Sequence, residues 1–201
     1  MSVLQWLNNI DHTLFFYINN KLSYSPLNQV MMLLRDPFTW IPVYLFFLLF
    51  FYANCKKYFL PIVVLTLLTF ALTDFTSATI IKPLIQRLRP CHDATVFGLN
   101  NIAGCGGIFS MPSSHASNHF GLSTFWFLII NHTLKRKWYA LFVWAFFIGY
   151  AQVFVGVHFP GDIVGGALLG IGFAYLNFHL FKRWTNREEA EIMEIKKTKV
   201  I

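Results

Sequence analysis

The sequence predicts an all-α polytopic membrane protein: a transmembrane bundle of about five spanning helices, preceded by an N-terminal interfacial helix. Three observations carry that expectation. The composition is 56% hydrophobic and only 12% charged. It includes 23 phenylalanines, far above the usage of a soluble domain. Apolar runs near the ~20 residues that a bilayer core demands recur between short basic clusters. The formal charge of +7 does not point to nucleic acid, because Lys and Arg are scattered between the apolar runs.

The elements follow in order. Residues 1–23 place Trp6, Leu7, Ile10, Leu14, Phe15 and Ile18 at helical spacing, but Asn8, Asn9, Asp11, His12, Asn19 and Asn20 interrupt them. That pattern suits the membrane interface rather than a span. A second short apolar patch, from Pro26 to Leu34, ends at Arg35-Asp36-Pro37. Residues 1–38 therefore read as an amphipathic N-terminal segment, with 24–38 as a further surface element or an added crossing. Spans are expected at about 39–55, 58–81, 115–133, 138–157 and 162–181, making 39–181 the membrane domain. Residues 182–201 form a charged tail that can continue the last helix. No basic leader with a small-residue cleavage site is visible, so no cleavable signal peptide is expected. No internal repeat is evident.

Basic residues set the orientation. Eleven fall on one side of these spans, from Lys56 and Lys57 through Lys135, Arg136 and Lys137 to the tail. Five fall on the other: Lys21, Arg35, Lys82, Arg87 and Arg89. The richer side is expected to be cytoplasmic, in the inner membrane, with the other side facing the periplasm or the exterior. The unusual polar clusters then share the outer face: Lys82, Arg87 and Arg89; Ser113, Ser114 and His115; His158 and Asp162. Cys91 and Cys105 lie in the same outer loop, where an oxidising compartment favours a disulfide, whereas Cys55 is expected inside and free.

The clusters suggest a chemistry. Cations at the outer end of a span attract an anion, and guanidinium forks match phosphate oxygens. Pro112 followed by small hydroxyl residues opens a helix whose N-terminus offers free N–H groups to that anion. His115 sits in that first turn, placed to donate a proton to a leaving oxygen. A Pro160-Gly161 turn brings Asp162 back to His158, and a carboxylate on one imidazole nitrogen leaves the other basic. Each cluster also has a plainer reading: snorkelling cations, serine caps, and an aspartate cap beside a lone histidine. Together they make a phosphoryl-transfer set without a metal cage. His119, one turn beyond His115, forms a His-x-x-x-His pair, but no suitable Glu accompanies it, so no metal is expected. Asp74, among Thr69, Thr73, Thr76 and Ser77, reads as a structural hydrogen-bonding residue.

These clusters resemble the signature of the type-2 phosphatidic-acid phosphatase superfamily, whose pattern is K-x6-R-P, then P-S-G-H, then S-R-x5-H-x3-D. The chain has Lys82…Arg89-Pro90, then Pro112-Ser113-Ser114-His115, then Ala151-Gln152…His158…Asp162, in the same order and spacing. The resemblance implies that His158 attacks phosphorus to give a phosphohistidine, that Asp162 orients it, and that His115 protonates the leaving oxygen. It implies phosphate binding by Lys82, Arg89, Ser113 and Ser114, with no cofactor. Three positions depart from the pattern: Ser114 stands for Gly, Ala151 for Ser, and Gln152 for an arginine. Gln152 keeps two amide donors but no charge, and Arg87 is the expected source of the missing charge.

The partners implied are the bilayer and a lipid phosphate, with no nucleic acid. Undecaprenyl diphosphate is the favoured substrate, ahead of phosphatidylglycerophosphate, phosphatidic acid and lipid A phosphates. A lipid phosphotransferase would share every motif. A transporter or lipid-binding protein would need a polar path through a midplane that is mostly Phe, Leu and Ile. Oligomeric state is not legible here.

Overall fold

The computed structural model describes residues 2–198, with side chains left undescribed at Leu4 and from 188 to 198. Of the expected charged tail, residues 199–201 lie outside the described residues. Among the described residues there is no β-strand, only an isolated bridge between Leu88 and Phe109.

Eight α-helices follow one another: α1 Val3–Phe16, α2 Ser25–Arg35, α3 Ile41–Asn54, α4 Phe59–Phe75, α5 Lys82–Ile85, α6 Ser114–Leu134, α7 Ala140–Phe154 and α8 Pro160–Thr198. Their ends are encoded locally. Ser2 and Gln5 form a capping box at α1. Pro26 sits in the first turn of α2, where its missing N–H costs nothing. A π-helical turn, Thr76–Ile81, joins α4 to α5 and offsets Lys82 from the regular helix. Gln86, left-handed at φ 55°, stops α5. Lys135 does the same for α6.

Among the described residues, three stretches are long and apolar enough to cross a membrane: Pro37–Asn54, Lys56–Ile85 and Pro160–Arg187. The expected spans at 115–133 and 138–157 correspond to helices that do not meet that description. α6 has the length, with 21 residues, but buries Ser117, Asn118, His119, Ser123 and Thr124. α7 is apolar but only 15 residues long. The expected span at 162–181 is the first part of one unbroken 39-residue helix. Leu45, Leu49, Leu60, Leu67, Phe146 and Leu168 all face outward. Such faces are stable in lipid and costly in water.

α6 is the central helix. It packs against α8, α7 and α4, and its crossing with α8 is set by glycine. A Cβ built at Gly166 would lie 2.5 Å from the Ser113 carbonyl oxygen, and one at Gly170 would lie 2.2 Å from that of Ser117. Small residues let two helix backbones approach this closely. Part of the polar flank of α6 is satisfied within the bundle. Asn118 accepts from the Thr73 hydroxyl at 2.7 Å and donates to Asp74 at 3.0 Å. Asp74 thus serves as an internal hydrogen-bond acceptor.

The N-terminal segment packs on the bundle. Met31 of α2 is buried beside Ala151, Phe154, Val155 and Val157. Buried Asn19, in a π-turn after α1, donates to the carbonyls of Phe154 and Asn100 and accepts from the Asn100 amide. These bonds tie the outer loop to the N-terminal helices. Cys91 and Cys105 are joined in that loop by a disulfide, and Cys55 is free and buried.

The α6–α8 crossing generates a paired prediction. Gly170→Ala should destabilise the protein by about 1–3 kcal/mol, because backbone must move to admit the methyl group. Gly172→Ala, with nothing within 4 Å of its built Cβ, should be neutral or stabilise by up to ~1 kcal/mol. Thermal unfolding of both variants in detergent checks the contrast.

Candidate active site

Three chain segments converge on one cavity of about 290 Å³. The end of the α4–α5 unit supplies Lys82 and the following loop Arg89; the start of α6 supplies Ser114 and His115; the end of α7 supplies Gln152 and the α7–α8 connection Val157 and His158. The disulfide-closed loop roofs the cavity with residues 103–106. Arg35, from the end of α2, also lines it.

The N-terminus of α6 explains how its residues are set. The Ser113 hydroxyl accepts from the Ala116 amide at 3.4 Å, and its own amide donates to the Asp162 carbonyl at 2.9 Å. Ser113, expected to hold phosphate through its side chain, is fully buried as a helix cap and does not line the cavity. The exposed hydroxyl is that of Ser114, at the glycine position of the pattern. It lies 3.2 Å from the Lys82 ammonium, which donates to it, and 2.9 Å from the Ser77 hydroxyl. The extra side chain therefore fixes the lysine rather than blocking the site.

His158 is 2% exposed and Asp162 fully buried. Asp162 Oδ2 accepts the Phe159 amide at 2.8 Å and faces His158 Nδ1 at 3.5 Å. At that separation the carboxylate acts on the ring as a charge more than as a formed hydrogen bond, and such contacts tighten when substrate binds. The arrangement leaves Nε2 as the second ring nitrogen of a residue that lines the cavity. Burial pushes the imidazole down to about 4 against the opposing pull of Asp162, which favours the neutral ring at pH 7.

Besides His158 Nδ1, two polar side chains at the cavity carry buried atoms with no hydrogen-bond partner. Gln152 is fully buried, and both of its amide atoms lack hydrogen bonds. Arg89 donates to the Val157 carbonyl at 3.3 Å, but its Nε is unpaired. Buried donors left open in this way are costly unless a ligand or water takes them. His119 Nδ1 donates to the His115 carbonyl at 2.8 Å and Nε2 accepts from Tyr44 Oη at 3.0 Å, so neither nitrogen is left for a His115–His119 metal pair.

Arg87 is placed differently from the sequence expectation. One arm of its fork donates to Asp162 Oδ1 at 2.9 Å, the other donates to Asp11 Oδ2, and the guanidinium stacks over Phe159 at 4.3 Å. It does not line the cavity. Its charge is spent on two carboxylates and cannot substitute for the arginine missing at Gln152. Asp11 also accepts from the Gly161 amide at 2.7 Å, which pins the turn that carries Asp162. Sequence reasoning assigned no site role to Asp11 and read Arg35 as the end of an apolar patch and one of five outer basic residues. The available signal was an acid and a base, each alone, on the face predicted to be outward.

Two predictions follow from this geometry. Arg87→Ala leaves the buried Asp162 charge without its main partner and should cost about 3–5 kcal/mol of stability. Asp11→Ala removes one charged contact of the same fork and should lower kcat by about tenfold with a smaller change in KM. Unfolding curves and initial rates on one lipid phosphate check both. Nitrogen-15 NMR of the histidines should show His158 neutral at pH 7 and protonating only as pH falls toward about 4. Because an unfolded histidine takes its proton near 6.5, this group subtracts stability as pH falls through that window.

Comparison with known proteins gives the family of the chain. A family model described as the PAP2 superfamily matches residues 59–186. The chain is 29% identical to a Bacteroides thetaiotaomicron protein named lipid A 4'-phosphatase, over 94% of this chain and 84% of that one. A Porphyromonas gingivalis protein of the same name is 27% identical over 84% of this chain and 71% of its own length. In fold, the crystal structure of a transmembrane PAP2-type phosphatidylglycerolphosphate phosphatase from Bacillus subtilis superposes with a TM-score of 0.69. That likeness covers 88% of this chain and 87% of the other, at 20% identity. Since the family match spans more than half of the chain and takes in Lys82, Arg89, Ser113–His115, Gln152, His158 and Asp162, the chain belongs to the PAP2 superfamily, as a membrane lipid phosphatase.

Proposed function

We propose that the protein removes a phosphate group from a lipid at its predicted outer face, through a phosphohistidine on His158 and without a metal. The observation that carries this reading is the buried His158 between Asp162 and a cavity lined by Lys82, Arg89 and the open amide of Gln152. Nε2 attacks phosphorus, the bond from phosphorus to the lipid oxygen breaks, and His115 gives that oxygen a proton. Water then attacks the phosphohistidine, His115 takes its proton back, and inorganic phosphate leaves. Asp162 balances the charge that develops on the ring. Lys82, Arg89, Ser114 and Gln152 hold the equatorial oxygens, where fixed donors supply most of the catalysis.

For the substrate, we infer a lipid A phosphate before the undecaprenyl diphosphate favoured from sequence. Supporting it are the two relatives named for that activity, which align along most of the chain. The basic residues favour an inner-membrane protein with its site on the periplasmic side. Phosphate release from a panel of lipid A, undecaprenyl diphosphate, phosphatidylglycerophosphate and phosphatidic acid tests the substrate directly. On the preferred lipid, His158→Ala, His115→Ala and Asp162→Ala should each lower kcat at least a hundredfold. Vanadate should inhibit and EDTA should not. Activity that requires added zinc or magnesium, or that survives His158→Ala, would overturn the mechanism.

A further inference from the structure

We propose that Arg35, on the N-terminal helix α2, is a phosphate-binding residue of the same cavity and the third cation of its clamp. The inference rests on the cavity being the phosphate site, and it adds a residue from outside the stretch matched by the family model, residues 59–186.

Arg35 lines the cavity together with Lys82 and Arg89. Among the described residues, no hydrogen bond or ion pair holds its guanidinium. Its neighbour Asp36 acts on it as a nearby charge without forming an ion pair, and Asp36 Oδ1 accepts the Phe38 amide at 3.0 Å. Arg87 shows the opposite condition, with both arms of its fork bonded to carboxylates. After burial, the charge of Arg35 is the main influence that lowers Arg89, as expected of two cations across one space. No carboxylate is among the described residues that line this cavity. Three cations around a volume of about 290 Å³ repel one another until an anion occupies it. The buried donors left open there, Arg89 Nε and Gln152 Nε2, mark where its oxygens bind.

Position supports the assignment. Met31, one turn before Arg35, is buried against α7 beside Ala151 and Val155, so α2 is anchored to the helix that carries Gln152. The charge that Gln152 lacks thus arrives from the helix packed on it. Arg35 also lines a wider cleft of about 780 Å³ shared with His115 and bounded by Asn28, Met32 and Asp36. It stands at the junction of the two spaces, beside the residue that protonates the leaving oxygen, and there it grips the phosphoryl group on the leaving-group side.

The test uses the full chain in detergent with orthovanadate as the probe, read both as inhibition and as thermal stabilisation without substrate. Arg35→Ala should weaken vanadate binding by about tenfold or more and lower kcat/KM about a hundredfold. Arg35→Lys should retain part of both, and it serves if the alanine variant does not fold. Adding Gln152→Arg to Arg35→Ala should restore vanadate affinity, because charge returns to the same cavity from α7; a packing role for Arg35 would show no such rescue. Wild-type vanadate binding in Arg35→Ala, or a loss that neither Lys nor Gln152→Arg relieves, overturns the proposal. If Lys82→Ala and Arg89→Ala also leave vanadate binding unchanged, the cavity itself is misassigned. If only Arg35→Ala is silent, the fault lies with Arg35 alone.

Discussion

The buried carboxylate of Asp162 is the constraint on which the rest of the site depends. A charge at 0% exposure persists only if its partners compensate the lost water. Here those partners come from two parts of the chain. Arg87 takes Oδ1, the Phe159 amide takes Oδ2, and the His158 ring stands beside it. The residue's own carbonyl accepts the Ser113 amide, which places the start of α6 directly against the start of α8. One residue thereby sets the distance between the nucleophile and the helix that carries the acid.

Charge is divided between two layers. Behind Asp162, Arg87 and Asp11 neutralise one another and pin the turn through the Gly161 amide. In front of it, Arg35, Lys82 and Arg89 face the cavity with no acid among its described lining. The rear layer is a closed electrostatic account that rigidifies the nucleophile; the front layer is open and positive, as a dianion requires. Both layers draw on the N-terminal helices, so a segment that looks like a surface ornament contributes to orientation and to binding.

Much of this was legible in the sequence, for identifiable reasons. The apolar runs and their basic flanks report helices and sides directly, and the spacing of Lys82, Arg89, His115, His158 and Asp162 holds because each lies near a helix end. Hydropathy resolved α6 less clearly, since Asn118 and His119 find partners on neighbouring helices that composition does not reveal. The role of Ser113 was read from its hydroxyl, but a helix cap claimed that hydroxyl first. Arg87 was read as a free charge because its partner Asp11 is 76 residues away. Pairings between lone ionisable groups at such separations leave no periodic trace, and only the packing of α1 across the end of α8 discloses them.

The contact between Asp11 and Gly161 spans 150 positions of the chain. A ribosome releases Asp11 near the beginning of synthesis and Gly161 late, after α7 has been made. Closing so long a loop gains nothing until both ends are folded. The nucleophilic turn consequently has no assembled precursor: until α8 begins to form, His158 lacks both Asp162 and the brace behind it. A chain that ends before α8 therefore has His158 or its neighbours without the contacts that fix them.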